Sequence, residues 1–259
     1  VTTVSGEAER RAEMASALCR HAGRPDVPVH AGCPEGLLTP IRQRDCPQTA
    51  ALGARDRQHD FAPNTALAFL RETIRARPGE VTLLAVGPLT NVGLLFAADP
   101  DLPGLLGGLV LMCGCFFAPR PEWNARNDVH ATSLTYGAGP QRRPRWHVSF
   151  GLDVTTQCRL PVDECRRRFT APALEVVRDF AEVWFAKGRD VITFHDPLAA
   201  AAVFEPDLCE YATGQVSVAT AGPAEGITLF REDPDGPHQV ATSVDAERFL
   251  GHYFQTVGA

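Results

Sequence analysis

No stretch of the 259 residues is apolar for long enough to span a bilayer. The longest apolar runs, residues 81–86 and 105–112, are strand-sized. An excess of positive charge is missing too. Lys and Arg number 25 against 31 Asp and Glu, a formal charge of -6, which argues against the basic face of a nucleic-acid binder. The eight cysteines (Cys19, Cys33, Cys46, Cys113, Cys115, Cys158, Cys165 and Cys209) include no CxxC pair, and Cys113-Gly114-Cys115 is the one close pair. That spacing gives neither a zinc site nor a disulfide framework. It fits reduced, mostly buried thiols, and so the expected compartment is the cytoplasm. Low-complexity linkers, internal repeats and breaks in composition are also lacking, and one domain over residues 1–259 is expected. No secretory leader is expected ahead of Val1-Thr2-Thr3-Val4, which reads as the end of a strand.

What is present is the balance of a globular chain: 44% hydrophobic and 22% charged residues, enough apolar surface for a substantial core. Helices are expected over residues 9–21, 65–77, 91–98, 172–185, 197–204 and 245–255. In the first, Ala12, Ala15, Leu18 and Cys19 share a face and Gly23 closes the end. In the second, Asn64 is placed to cap the first turn and Pro78-Gly79 to stop the last. Strands are expected at 27–29, 81–86, 109–112 and 147–152, and a terminal hairpin from 216–220 and 227–230. Residues 37–60 read as an irregular surface excursion. The 81–86 run is apolar throughout, not alternating, which marks a strand covered on both faces in a parallel sheet. The fold class is therefore α/β, a mostly parallel central sheet flanked by helices. Ligands of such sheets bind beyond the carboxyl ends of the strands.

Three strand-end segments carry candidate chemistry. In Thr193-Phe194-His195-Asp196-Pro197, Asp196 either caps a helix that starts at the proline or holds a cation or sugar hydroxyls, with His195 positioned to assist a leaving group. Glu122 and Asn124 lie two residues apart, so an extended backbone points them to one side, where they suit adjacent sugar hydroxyls; a solvated loop is the plain alternative. Thr90 ends the Gly87-Pro88-Leu89 turn and either caps the next helix or offers its hydroxyl or carbonyl to a ligand.

These segments together resemble the inosine–uridine nucleoside hydrolase family in order and spacing. VTLLAVGPLTN at 81–91, LMCGCFF at 111–117, Glu122-Trp123-Asn124, Asn127-Asp128, GLDVT at 151–155, FHDPLAAAA at 194–202 and VDAERF at 244–249 carry the likeness over nearly the whole chain. The resemblance implies a nucleoside-hydrolase-like fold. It implies an enzyme that cleaves the N-glycosidic bond of a ribonucleoside or related N-riboside by a calcium-activated water, through an oxocarbenium-like ribosyl. It implies Ca2+ as cofactor, with Thr90 and Asp196 as ligands. His195 and Asp196 would be catalytic, and Glu122, Asn124, Met112 and Glu7 would bind substrate. It further implies a small-molecule partner and a homo-oligomer, dimer or tetramer. The family opens on a strand carrying a D-x-D-x-x-x-D-D run that supplies most metal ligands and the base. Here Thr3-Val4-Ser5-Gly6-Glu7 matches the segment just after it, so a central first strand is expected to be missing. Glu7 replaces the family's asparagine, and the 117–122 connection is short. The alternative function is a catalytically inactive homologue that binds a ribosyl ligand or serves as a subunit of an assembly.

Overall fold

A computed structural model of the chain describes residues 1–138 and 142–258. In chain order the elements are α1 (Ala8–His21), α2 (Ala66–Ala76), β1 (Thr82–Ala85), α3 (Thr90–Ala98), β2 (Gly108–Met112), α4 (Trp123–Asn127), α5 (Val129–Tyr136) and β3 (His147–Phe150). Then come α6 (Leu152–Thr155), β4 (Arg159–Pro161), α7 (Val162–Arg168), α8 (Glu175–Phe185), β5 (Val191–Thr193), α9 (His195–Ala201), β6 (Cys209–Val218), β7 (Thr228–Glu232), β8 (His238–Val244) and α10 (Ala246–Val257).

The run Gly108–Met112 is buried at every position because β2 has a strand on each side and helices on both faces. Side chains alternate across the strand. Val110 and Met112 join Val148, Phe150, Leu198, Phe249 and Phe254 in one core; Leu109 and Leu111 join Leu70, Ile74, Val92, Leu95 and Tyr136 in another. The result is three layers, helix on sheet on helix. The sheet order is β1-β2-β3-β8-β6-β7: the first four strands are parallel, β6 runs antiparallel to β8, and β7 runs antiparallel to β6. A separate antiparallel pair joins β4 and β5. The expected mixed, mostly parallel sheet is present.

Several local expectations change. The 81–86 run is not covered on both sides: β1 is an edge strand, exposed at Thr82 and only half-buried to Ala85, because its outer edge faces a cleft instead of a strand. Across that cleft, Thr2 makes an isolated parallel bridge to His30, so residues 27–29 form no strand of their own. Asn64 does not cap α2; it takes a left-handed φ of 59°, and Thr65 holds the cap position without a side-chain bond. Residues 151–152 leave β3 and enter α6. Residues 172–174 form a 3-10 turn ahead of α8, and β8 emerges from a stretch assigned no strand. The close approach of α3 to α5 requires Gly93, where a Cβ would lie 2.6 Å from the Cα of Ala131.

Candidate functional site

The carboxyl ends of β1, β2 and β3 open onto one rim, and each is followed by a segment that turns polar groups toward it. After β2 the chain passes Gly114 with φ 94°, a conformation glycine takes freely; a Cβ there would also strike the Phe116 ring at 2.6 Å. This backbone lets Gly114 N–H donate to Glu122 Oε2 at 3.2 Å.

Glu122 caps α4. Its Oε1 accepts from Asn124 N–H at 2.8 Å and its Oε2 from Ala125 N–H at 2.9 Å. The residue is 2% exposed, so it is not a solvated loop carboxylate; its own backbone is extended, but Asn124 lies inside α4, so the two do not form the extended pair expected from spacing. Burial pushes its pKa up, partly opposed by the backbone donors. Asn124, inside the helix, turns its amide nitrogen back to the strand ends and donates to Met112 O at 2.9 Å and Val86 O at 3.2 Å. Met112 ends β2 and is buried.

Thr90 opens α3 and does not cap it; its hydroxyl donates to Asp128 Oδ2 at 2.8 Å. Asp128 is fully buried, caps α5 through Ala131 N–H at 3.0 Å and accepts Leu37 N–H at 2.9 Å, so it ties three segments together.

Asp196 does not cap α9 either. Phe194 stands at the cap and Asp196 is inside the first turn. The carboxyl reaches solvent yet lies in a dense wall of protein, and among the described residues it has no hydrogen bond or ion pair. Burial, with Glu122's like charge adding to it, pushes its pKa up to about 7. The Glu122 charge is thus felt at Asp196, second to burial. His195 is half-buried; its Nδ1 lies 2.7 Å from the Thr155 hydroxyl in α6, and burial lowers its pKa. Glu7 stands apart: it is exposed and its carboxylate accepts Cys46 N–H at 2.8 Å, on the loop after Arg44.

Two cavities adjoin the rim. One of about 600 Å³ lies between the start of the chain and β1, lined by Val4, Ser5, Met14, Val86, Trp123 and Asn124 among others. The other, about 460 Å³, is lined by Cys115, Phe117, Arg120, Asp153, Thr156 and Thr242 with their neighbours. Sequence reasoning passed over Asp153 and Thr155. The signal was available, because both lie directly after a buried strand, the same place that marked the other candidates.

Among the described residues, no three His, Cys, Asp or Glu side chains come together in a way that could hold a metal ion. Calcium takes six to eight oxygen ligands. The ligands the resemblance implies here, the backbone carbonyl of Thr90 and the carboxylate of Asp196, are too few for that set, so these residues by themselves do not fit calcium.

Solved nucleoside hydrolases share this architecture from end to end. A plant nucleoside hydrolase superposes with a TM-score of 0.83 at 25% identity, covering 100% of this chain and 89% of that one. A purine-preferring ribonucleoside hydrolase from Gardnerella vaginalis has the same fold, with a TM-score of 0.82 at 23% identity over 99% of this chain and 88% of its own. In sequence the chain is similar to uridine nucleosidase 1 of Arabidopsis thaliana, at 30% identity over 96% of this chain and 82% of the relative. It is also similar to the non-specific ribonucleoside hydrolase RihC of Salmonella paratyphi B, at 29% over 96% and 85%. The sequence profile of the family described as inosine-uridine preferring nucleoside hydrolase matches residues 1–251, and the chain belongs to that family.

Proposed function

We propose that this protein cleaves the N-glycosidic bond of a ribonucleoside or closely related N-riboside. The supporting observation is the pair Glu122 and Asp196. Two carboxylates in one neighbourhood, one 2% exposed and neither with a cationic side-chain partner among the described residues, cost stability. A ribosyl group that gains positive charge as its bond to the base breaks gives that arrangement a use. In this reading Asp196 faces the developing charge. Glu122 and the Asn124 Oδ1 accept from ribose hydroxyls, the Asn124 amide nitrogen being held by the Met112 and Val86 carbonyls, Met112 lines the sugar pocket, and His195 stands beside the departing base. The bond from C1′ to the base nitrogen breaks with its electron pair going to the base, water adds at C1′, and the proton that water gives up ends on the base.

Calcium activation of that water remains the family's expectation, and no step is routed through it, because the donor set described above does not hold the ion alone. Glu7, turned to the 44–46 loop, serves at most the margin of the site. Eight cysteines without disulfides suit the cytoplasm, the proposed compartment, and no helix among the described residues is long and apolar enough to cross a membrane. A homo-oligomer is the proposed assembly.

The test is a panel of purine and pyrimidine ribonucleosides assayed for free ribose, with and without added calcium. Asp196→Ala is expected to lower turnover on the order of 100-fold, the scale at which a charge-stabilising group is lost. Turnover unchanged in that variant would remove Asp196 from the site. Among the described residues no three ligating side chains come together, which favours a second reading, an inactive homologue that binds a ribosyl ligand. A panel with no cleavage but saturable ribose binding would establish that reading instead.

A further inference from the structure

Residues 114–122 form a strap from the end of β2 to Glu122, and every N–H from Gly114 to Ala118 ends on a side-chain oxygen. Gly114 donates to Glu122 Oε2 at 3.2 Å and Cys115 to Thr228 Oγ1 at 2.9 Å. Phe116, Phe117 and Ala118 donate to the Asp153 carboxylate at 2.6, 3.1 and 3.2 Å. The Thr228 hydroxyl also donates to the Cys115 carbonyl at 3.2 Å. Thr228 is 0% exposed, which keeps water from competing for either bond. Phe117 and Ala118 are exposed, and in a free loop their N–H groups would turn to water. Asp153 comes from the turn after β3, and Thr228 opens β7, far along the chain. Gly151 makes room for the strap: a Cβ there would lie 2.8 Å from Asp153 Oδ2 and 3.0 Å from Gly114 O. Beyond Ala118 the chain runs Pro119-Arg120-Pro121, and two fixed proline φ angles carry the placement stiffly to Glu122.

We propose that Asp153 and Thr228 are positioning residues that hold this strap by its backbone and thereby set where the Glu122 carboxylate stands. This rests on Glu122 meeting ribose, and it adds to that site two groups that act through Glu122. A carboxylate accepts with both oxygens, so Asp153 takes three N–H groups at once. An amide in its place has one acceptor oxygen and a nitrogen that donates, so Asp153→Asn sets at least one strap N–H against another donor. Thr228→Val keeps the shape and removes the hydroxyl, whereas Thr228→Ser keeps the hydroxyl. Hydrogen bonds to sugar hydroxyls strengthen as the glycosidic bond breaks. A displaced Glu122 therefore costs turnover more than it costs binding.

Amide spectra and proton exchange of the 15N-labelled protein read the strap directly. In wild type the Phe116, Phe117 and Ala118 amides are expected to exchange slowly, although the last two residues are exposed. Asp153→Asn should speed their exchange and shift the Gly114 amide, whose partner Glu122 is unaltered. Thr228→Val should shift Gly114 as well, and Thr228→Ser should leave it in place, with the β1 amides unchanged throughout. Fast exchange of Phe117 and Ala118 in wild type, or a Gly114 signal unmoved in Asp153→Asn and Thr228→Val, overturns the proposal. Should Asp153→Asn move the β1 amides too, general disruption is indicated; wild type and the Thr228 pair then decide, and an unmoved Gly114 in Thr228→Val overturns it. Where a nucleoside is cleaved, Asp153→Asn and Thr228→Val should each lower kcat about tenfold or more, with KM within about threefold. Thr228→Ser should restore kcat, and a wild-type kcat in both of the other variants also overturns the proposal. The spectra need no turnover, so failure of the hydrolase reading and failure of this one are told apart.

Discussion

Glu122 shows how one side chain serves structure and chemistry together. Three backbone N–H groups aim at its two oxygens. A carboxylate that collects backbone donors is held in one orientation, and its charge there adds to the rise in the Asp196 pKa. Glu122→Gln keeps the shape but offers a single acceptor oxygen, so one N–H loses its partner. The expected cost is about 1–3 kcal/mol, read from urea unfolding. The same change removes the like charge beside Asp196, whose pKa should fall from about 7 toward the ordinary carboxylate range. Infrared titration of wild type against the variant measures it; an unmoved Asp196 would mean the two groups do not share a site. The residue types at this rim were legible in the sequence, because GPLTN stands directly after an apolar run, HDP directly before one, and EWN in the connection that follows another. Their conformations were not. Spacing suggested an extended Glu122–Asn124 pair and an Asp196 cap, but tertiary contacts settled both otherwise. Gly114 supplies a donor eight residues before Glu122, and no local rule anticipates that.

Between elements, the packing of α5, β3 and β8 contains a buried aromatic group. Tyr136 stacks on His147 with centroids 5.3 Å apart, and His238 meets both rings edge-on at 5.3 and 4.9 Å. Burial lowers the pKa of His238 to about 4, with Arg143 adding to the effect and the Tyr136 carbonyl opposing it; burial and His238 push His147 well below its ordinary value. Both rings are neutral in the folded protein and protonate near 6.5 when unfolded. The unfolded state therefore binds more protons between pH 6.5 and about 4. Stability is fully present above pH 6.5 and is lost as pH falls toward 4, by roughly 3 kcal/mol from His238 alone. Urea midpoints taken across that range should fall, and His238→Gln should flatten part of the slope; equal slopes would place the acid sensitivity elsewhere. Arg71 and Arg75 act in the same direction through Asp99, which they hold below the usual carboxylate range by hydrogen bonding. At this scale the helices with strong apolar faces, α2, α8 and α10, were readable within a few residues. β8 was not. Only Val240 and Ala241 in its middle are fully buried, and the polar Gln239, Thr242 and Ser243 around them hide the strand period.

For the whole molecule, two cores meet around one sheet, with β1 as the outer strand and a 600 Å³ cleft beyond it that Asn124 lines. The apolar run at 81–86 correctly announced a parallel sheet, but what flanks a strand depends on chain far away in sequence, so its edge position could not be read from the run itself. A cleft bounded by polar strand ends should make stability depend on ligand. Anything that binds only the folded state stabilises it by RT ln(1 + [L]/Kd), about 2.7 kcal/mol at a hundredfold excess over Kd. For a chain of this size that raises Tm by about 5–10 °C. Ribose and a ribonucleoside are both expected to produce such a shift, because under the proposed function Glu122, Asn124 and Asp196 address the sugar. The free nucleobase should produce little, because the proposed function assigns it His195 alone. Calcium alone at roughly millimolar concentration should leave Tm within about 1 °C, since the described residues bring no three ligating side chains together. Thermal unfolding followed by circular dichroism separates these cases in one series. A base-only shift would place the recognition surface away from the carboxylates. A large shift with calcium alone would require an oxygen-ligand set assembled from groups other than the carboxylates described at this rim.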